Sequence, residues 1–211
     1  MVDPQDVMFS PSVKAEQTRL GSRAMFEKRE WKSEITDDLR QFLAVIDTFF
    51  LATASADGRP YIQHRGGPPG FLKAIGTHTL AFADFAGNRQ YITLGHLKEN
   101  DRAHMFLLHF ATQQRVKLWG RARVVEGDQE LMERLVDPAY AKEHRARPQR
   151  AIVFTLEAWD SNCPQHIVPR YSEAEIAPGI NKLVARIKEL EEEVARLKGH
   201  ALPDREPPKA E

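Results

Sequence analysis

The chain is poor in cysteine. Its 211 residues hold a single one, Cys163, which excludes an intramolecular disulfide and suits a reducing cytoplasm. Excess charge is also missing. Lys plus Arg and Asp plus Glu each total 30, so the formal net charge is zero. A general nucleic-acid binder carries a basic excess and is not expected here. No apolar run approaches the roughly 18 residues that span a bilayer, so no membrane partner is expected. The N-terminus lacks a basic stretch followed by an apolar segment and does not read as a signal peptide. There is no glycine-rich dinucleotide fingerprint and no internal repeat. The 8 histidines are scattered, and no His/Cys set has metal-ligand spacing. What is present is an ordinary globular composition, 42% hydrophobic and 28% charged.

This length fits one domain with appendages. Residues 1–15 are polar, carry Pro4 and Pro11, and read as a loose arm; residues 17–31 hold a short helix. The expected divisions are an arm over 1–35, a core domain over 36–170, a helix over 171–201 and a disordered tail over 202–211. Thr36 followed by Asp37 and Asp38 marks a helix start. Leu39, Phe42, Leu43 and Ile46 at helical spacing then predict an amphipathic helix over 36–47. Strands are expected at Phe49–Ser55, Arg59–Arg65, Thr79–Ala83, Ala103–Phe110, Arg115–Glu126 and Arg150–Trp159. The run Gly66–Gly70 breaks the sheet, and helices are expected at Asn88–Leu97 and Asp128–Val136. Short strands with few intervening helices predict a closed or nearly closed β-barrel, not a parallel sheet. Near the C-terminus, Ile180, Leu183, Ile187, Leu190, Val194 and Leu197 form a two-heptad seam. It suits a terminal helix packed on its own domain and a helix–helix dimer contact alike.

Four segments carry candidate chemistry. Gly87-Asn88-Arg89-Gln90 reads as a glycine turn opening a helix, where free N–H groups and the Arg89 fork suit a phosphate. In Tyr61–Arg65, Tyr61, Gln63 and Arg65 share one strand face, and Ile62 and His64 share the other. Arg115, Lys117, Trp119 and Arg121 share a face, and their like charges call for solvent or a bound anion. The polar loop from Trp159 to Ile167 carries Cys163, Gln165 and His166. Cys163 and His166 do not form a convincing nucleophile–base pair, because a spacing of three in a Pro-containing loop does not hold them within hydrogen-bond reach. Basic and amide side chains at strand ends give the layout of a small barrel holding an anionic, phosphate-bearing ligand.

In order and spacing, residues 40–160 resemble the pyridoxamine 5′-phosphate oxidase-like family of split-barrel proteins that bind flavin mononucleotide (FMN). Asp57-Gly58-Arg59-Pro60 is similar to the family's D-G-x-P turn. Phe82–Gln90 resembles its F-x-T-N-x-x-S-R-K phosphate segment, Asn100–Ala103 its N-P-x-A strand start, and Val116–Gly120 its V-R-I-x-G strand. The loop Asn162–Ile167 looks like the N-C-P ending of FMN-binding relatives.

The resemblance implies a mainly β fold with flanking helices: a six-stranded split barrel plus a C-terminal amphipathic helix. It implies a cytoplasmic homodimer with FMN at the subunit interface and a small-molecule redox substrate. Contacts to FMN are expected from Gln63, His64 and Arg65, from Ala83 and Asp84, from Asn88, Arg89 and Gln90, and from Lys117. Gln165 and His166 are expected to reach the partner's flavin. The strand Met105–Phe110, Trp119 and Trp159 are expected to supply a second wall. Asn88-Arg89-Gln90 departs from Ser-Arg-Lys, the R-x-V-L-L-K strand reads Gln63–Pro68, and the C-terminal R-L-A-P is absent. FMN binding therefore follows more directly than oxidation of pyridoxamine phosphate. The first reading is an FMN-dependent oxidoreductase with no assigned catalytic acid or base. The alternatives are a non-catalytic flavin-binding or stress-response module, and a haem- or deazaflavin-binding cousin.

Overall fold

The structure is a computed structural model and describes residues 3–162 and 165–199. The expectations for Cys163 and for the 202–211 tail lie outside the described residues. The chain forms two compact units, Met1–Val168 and Pro169–Glu211.

Strands β1 (Thr48–Ala54), β2 (Pro60–Gly66), β3 (Lys73–Ala74), β4 (Thr79–Phe85), β5 (Arg102–His109), β6 (Gln114–Val125) and β7 (Pro148–Asn162) form one sheet. Its order is β2-β1-β5-β6-β7-β4-β3, with every pairing antiparallel. The six longer strands are the six expected from the sequence. The two-residue β3 is too short to carry a period. Phe49 and Leu51 of β1, Met105 and Leu107 of β5, Leu118 of β6 and Ile152 and Phe154 of β7 turn inward and are completely buried. Burying each such side chain contributes about 1.5–3 kcal/mol, so these inward residues hold the sheet on the main core.

The helix α4 (Asp37–Val45) buries Leu39, Phe42 and Leu43 against that core, and Thr36 Oγ1 caps it by accepting from Leu39 N. A second cluster, Ala81, Ala83, Leu135, Ala151 and Val153, joins β4 and β7 to the helix α6 (Gln129–Leu135). A further helix, α7 (Pro138–Glu143), had no strong sequence signal.

The N-terminal arm differs from expectation. It folds into α1 (Pro4–Met8), α2 (Pro11–Arg19) and α3 (Arg23–Glu27). Pro4 and Pro11 stand in first turns, after Asp3 and Ser10, whose side chains accept from Gln5 N and Val13 N. Proline at that position loses no hydrogen bond and presets φ. Arg23 then ties the three helices together, donating to Gln17 and Gln5 at 3.0 and 3.1 Å and to Glu27 at 2.8 Å.

The outer sheet face carries a second apolar set. Phe50, Phe106 and Lys117 follow one another across β1, β5 and β6, as do Ala52, His104 and Trp119. Trp159, expected there, is buried in the core instead, and its Nε1 donates to Glu34 O at 2.9 Å. The His104 ring stands edge-on to Trp119 at 4.8 Å. Burial, with a smaller contribution from Lys117, lowers its pKa from 6.5 to about 4. The unfolded chain takes up this proton near pH 6.5 and the folded chain only near pH 4, so stability falls as pH drops across that window. Between pH 7 and 4.5, His104→Phe should lose less stability than the wild type in urea titrations, by up to about 3 kcal/mol. Equal losses would contradict a neutral, desolvated ring.

In the second unit, α8 (Glu173–Lys198) opens with a capping box between Ser172 and Glu175 and closes on Gly199 at φ 66°. The helix expected from the apolar seam is present.

Candidate functional site

A cleft of about 130 Å³ opens between β2, the end of β4 and the start of α5 (Ile92–Glu99). Tyr61, Gln63 and Arg65 line it from one strand face, and Asp84 from β4. The loop Gly87–Tyr91 and the first helical residues Ile92, Thr93 and Leu94 close it. Six expected residues thus meet here: Gln63, Arg65, Asp84, Asn88, Arg89 and Gln90.

The helix starts later than the sequence predicts, at Ile92 and not at Asn88. Asn88 Oδ1 accepts from Gln90 N at 3.1 Å, so the presumed cap closes a local turn instead. The true N-cap, Tyr91, is left-handed and makes no side-chain cap bond. The first turn of α5 therefore has no capping side chain, and its residues Ile92, Thr93 and Leu94 line the cleft; a helix start of this kind attracts anions. Arg89 (φ 61°) and Tyr91 (φ 56°) are both left-handed non-glycine residues. Strain of this kind concentrates at binding sites.

Arg65 Nη1 donates to Asp84 Oδ1 at 2.5 Å, and Nη2 to Thr93 Oγ1 at 3.4 Å. Asp84 stands opposite Arg150 in register, and Arg150 Nε lies 3.8 Å from Asp84 Oδ2. Arg150 also reaches Glu126 at 3.1 Å and packs over the Tyr91 ring. Asp84 therefore braces two guanidiniums, of which Arg65 lines the cleft, and Arg89 adds a second cation to that lining. The Nε–H groups of Arg65 and Arg150 are buried without a hydrogen-bond partner among the described residues. The surplus of donors and positive charge fits a bound phosphate. Sequence reasoning missed Thr93, Tyr91 and Arg150. Thr93 and Tyr91 carry no motif, and the Asp84–Arg150 pairing depends on strand register.

The other expected residues lie elsewhere. His64 is on the opposite face of β2, with Nε2 2.6 Å from Thr48 Oγ1 and its ring against Phe50. Ala83 is buried in the second core cluster. Lys117 lies on the outer sheet face, 3.4 Å from Asp160, which also accepts from Arg29 at 2.6 Å. Arg121 pairs with Asp101 and Glu157. Protein carboxylates thus neutralise two of the three cations for which an anion was expected on β6. Gln165 and His166 are exposed in the turn after β7.

The family model for pyridoxamine 5′-phosphate oxidase matches residues 35–163. No curated protein matches the sequence. Among solved structures, HupZ of Group A Streptococcus is 14% identical, with 65% of this chain and 99% of that one covered and a TM-score of 0.47. A putative pyridoxamine 5′-phosphate oxidase from Lactobacillus delbrueckii is 15% identical, over 61% and 95% of the two chains, with a TM-score of 0.46. An FMN-binding protein from Syntrophomonas wolfei is 16% identical, over 72% and 95%, with a TM-score of 0.44. The match to the family model covers more than half of the sequence, and the chain belongs to the pyridoxamine 5′-phosphate oxidase family, with its split-barrel fold and a C-terminal helix.

Proposed function

We propose that the protein binds FMN and acts as a cytoplasmic FMN-dependent oxidoreductase on a small-molecule substrate. The observation that carries this reading is the uncapped N-terminus of α5, flanked by Arg89 and Arg65 in one cleft. Arg89 and the first-turn N–H groups hold the phosphate. Gln63 and Tyr61, joined by a hydrogen bond from Tyr61 OH to Gln63 Oε1, line the path of the ribityl chain. Asp84 keeps Arg65 in place without itself touching the phosphate. Bound FMN supplies the hydride and electron chemistry; the chain supplies binding, orientation and water exclusion.

The cleft is too small for a whole flavin, since complete ligand sites run to about 300–1,000 Å³. This size supports a homodimer in which a second chain covers the ring. The half-buried Phe50, Phe106, Leu108 and Trp119 on the outer sheet face suit a two-fold contact. Lys117, Gln165 and His166 then contribute from the partner chain, which accounts for their absence from the lining of their own chain's cleft.

The purified protein, or the protein reconstituted with flavin, is expected to release FMN on denaturation. FAD, haem, or no chromophore after reconstitution would overturn the cofactor assignment. Oxidation of NADH or NADPH by the loaded protein separates an oxidoreductase from a flavin carrier.

A further inference from the structure

We propose that a second cavity, which shares only Tyr91 and Leu94 with the cleft, is a separate binding site for a small amphipathic anion. This cavity measures about 710 Å³, a full ligand-sized volume, whereas the cleft that takes the FMN phosphate measures about 130 Å³. Its floor is apolar: Leu97 is buried in the main core, and Leu94 and Val124 are half-buried beside it. Lys98, Arg123 and Arg150 stand at its walls, against one carboxylate, Glu126. Glu126 is already engaged by Arg150 at 3.1 Å. Neither Lys98 nor Arg123 has an ion-pair partner among the described residues.

An apolar floor under uncompensated cations selects a ligand with an apolar body and an anionic head. A neutral apolar molecule leaves the cations unused, and a bare inorganic anion leaves the floor wet. Tyr91 offers a ring face for an aromatic body, with the Arg150 guanidinium 5.9 Å from its centroid. The occupant is therefore an aromatic carboxylate, sulfonate or phosphate monoester of low molecular weight.

Gly95 gives a clean way to close the site. It lines the cavity from within α5, and a Cβ built there meets nothing within 4 Å. Leucine also favours a helix more than glycine does, so Gly95→Leu should fold and place its side chain in open space.

The experiment is calorimetric titration of the FMN-loaded full chain with anilinonaphthalene sulfonate. One probe should bind per chain without displacing FMN. Gly95→Leu should abolish binding at concentrations that saturate the wild type. Lys98→Gln combined with Arg123→Gln should weaken it by about tenfold or more and flatten its salt dependence, with FMN content unchanged in every variant. Unchanged probe affinity in Gly95→Leu would overturn the proposal. So would competition between probe and FMN, which would make the cavity part of the flavin site. If the chain holds no FMN, the same titration on flavin-free protein still reads the cavity, so the two readings fail separately.

Discussion

Arg89→Gly is expected to stabilise the fold and to weaken FMN binding by about tenfold to a hundredfold. Both effects come from one residue. Arg89 holds φ at 61°, a left-handed conformation that costs an L-residue about 1–2 kcal/mol and glycine almost nothing. Removing the side chain relieves that strain and deletes a forked cation from the phosphate end of the cleft. Riboflavin, which lacks the phosphate, should bind the variant nearly as well as the wild type. Urea midpoints and paired titrations with FMN and riboflavin check both halves. Equal losses for the two ligands would remove Arg89 from the phosphate site. A drop in stability would mean that the turn depends on Arg89 contacts outweighing the strain.

Gly120→Ala should leave little folded protein. Gly120 lies where the β6–β7 register shifts between Trp119 and Gly120. A Cβ there would stand 2.0 Å from Thr155 O and 2.9 Å from two ring atoms of Phe154. Thr155 O is backbone of the paired strand and cannot swing aside, so either the bulge opens or the core shifts. The expected cost exceeds about 3 kcal/mol, at the upper end for overpacking. Gly87, in the cleft loop, is the contrast: a Cβ there meets nothing within 4 Å. Gly87→Ala should fold normally, and any change in it reads ligand binding alone. Thermal melts of the two variants side by side test the assignment; a well-folded Gly120→Ala protein would contradict the bulge geometry.

Where the hydrophobic period is long and clean, the sequence alone places the element. β1, β5 and β6 alternate strictly because one face is core, and Thr36 with two acids announces α4 because the cap chemistry is local. The cleft was half legible for the same reason: Gln63 and Arg65 share a strand face, and alternation is local. Signals with two readings misled. Pro4 and Pro11 suit a loose arm and a first helical turn equally, and only packing around Phe9, Phe26 and Trp31 decides it. Asn88 suits a helix cap and a short turn equally; here the turn takes its oxygen. Long-range pairings were invisible. Asp84 meets Arg65 and Arg150, and Lys117 meets Asp160, across strands whose register no local pattern states.

One chain only half encloses the proposed FMN site. Sedimentation of the FMN-loaded protein, followed by flavin absorbance, tests it most directly. Flavin is expected to travel with a species of twice the 24.1 kDa chain mass, at one FMN per chain. A monomer that retains FMN at full stoichiometry would contradict it.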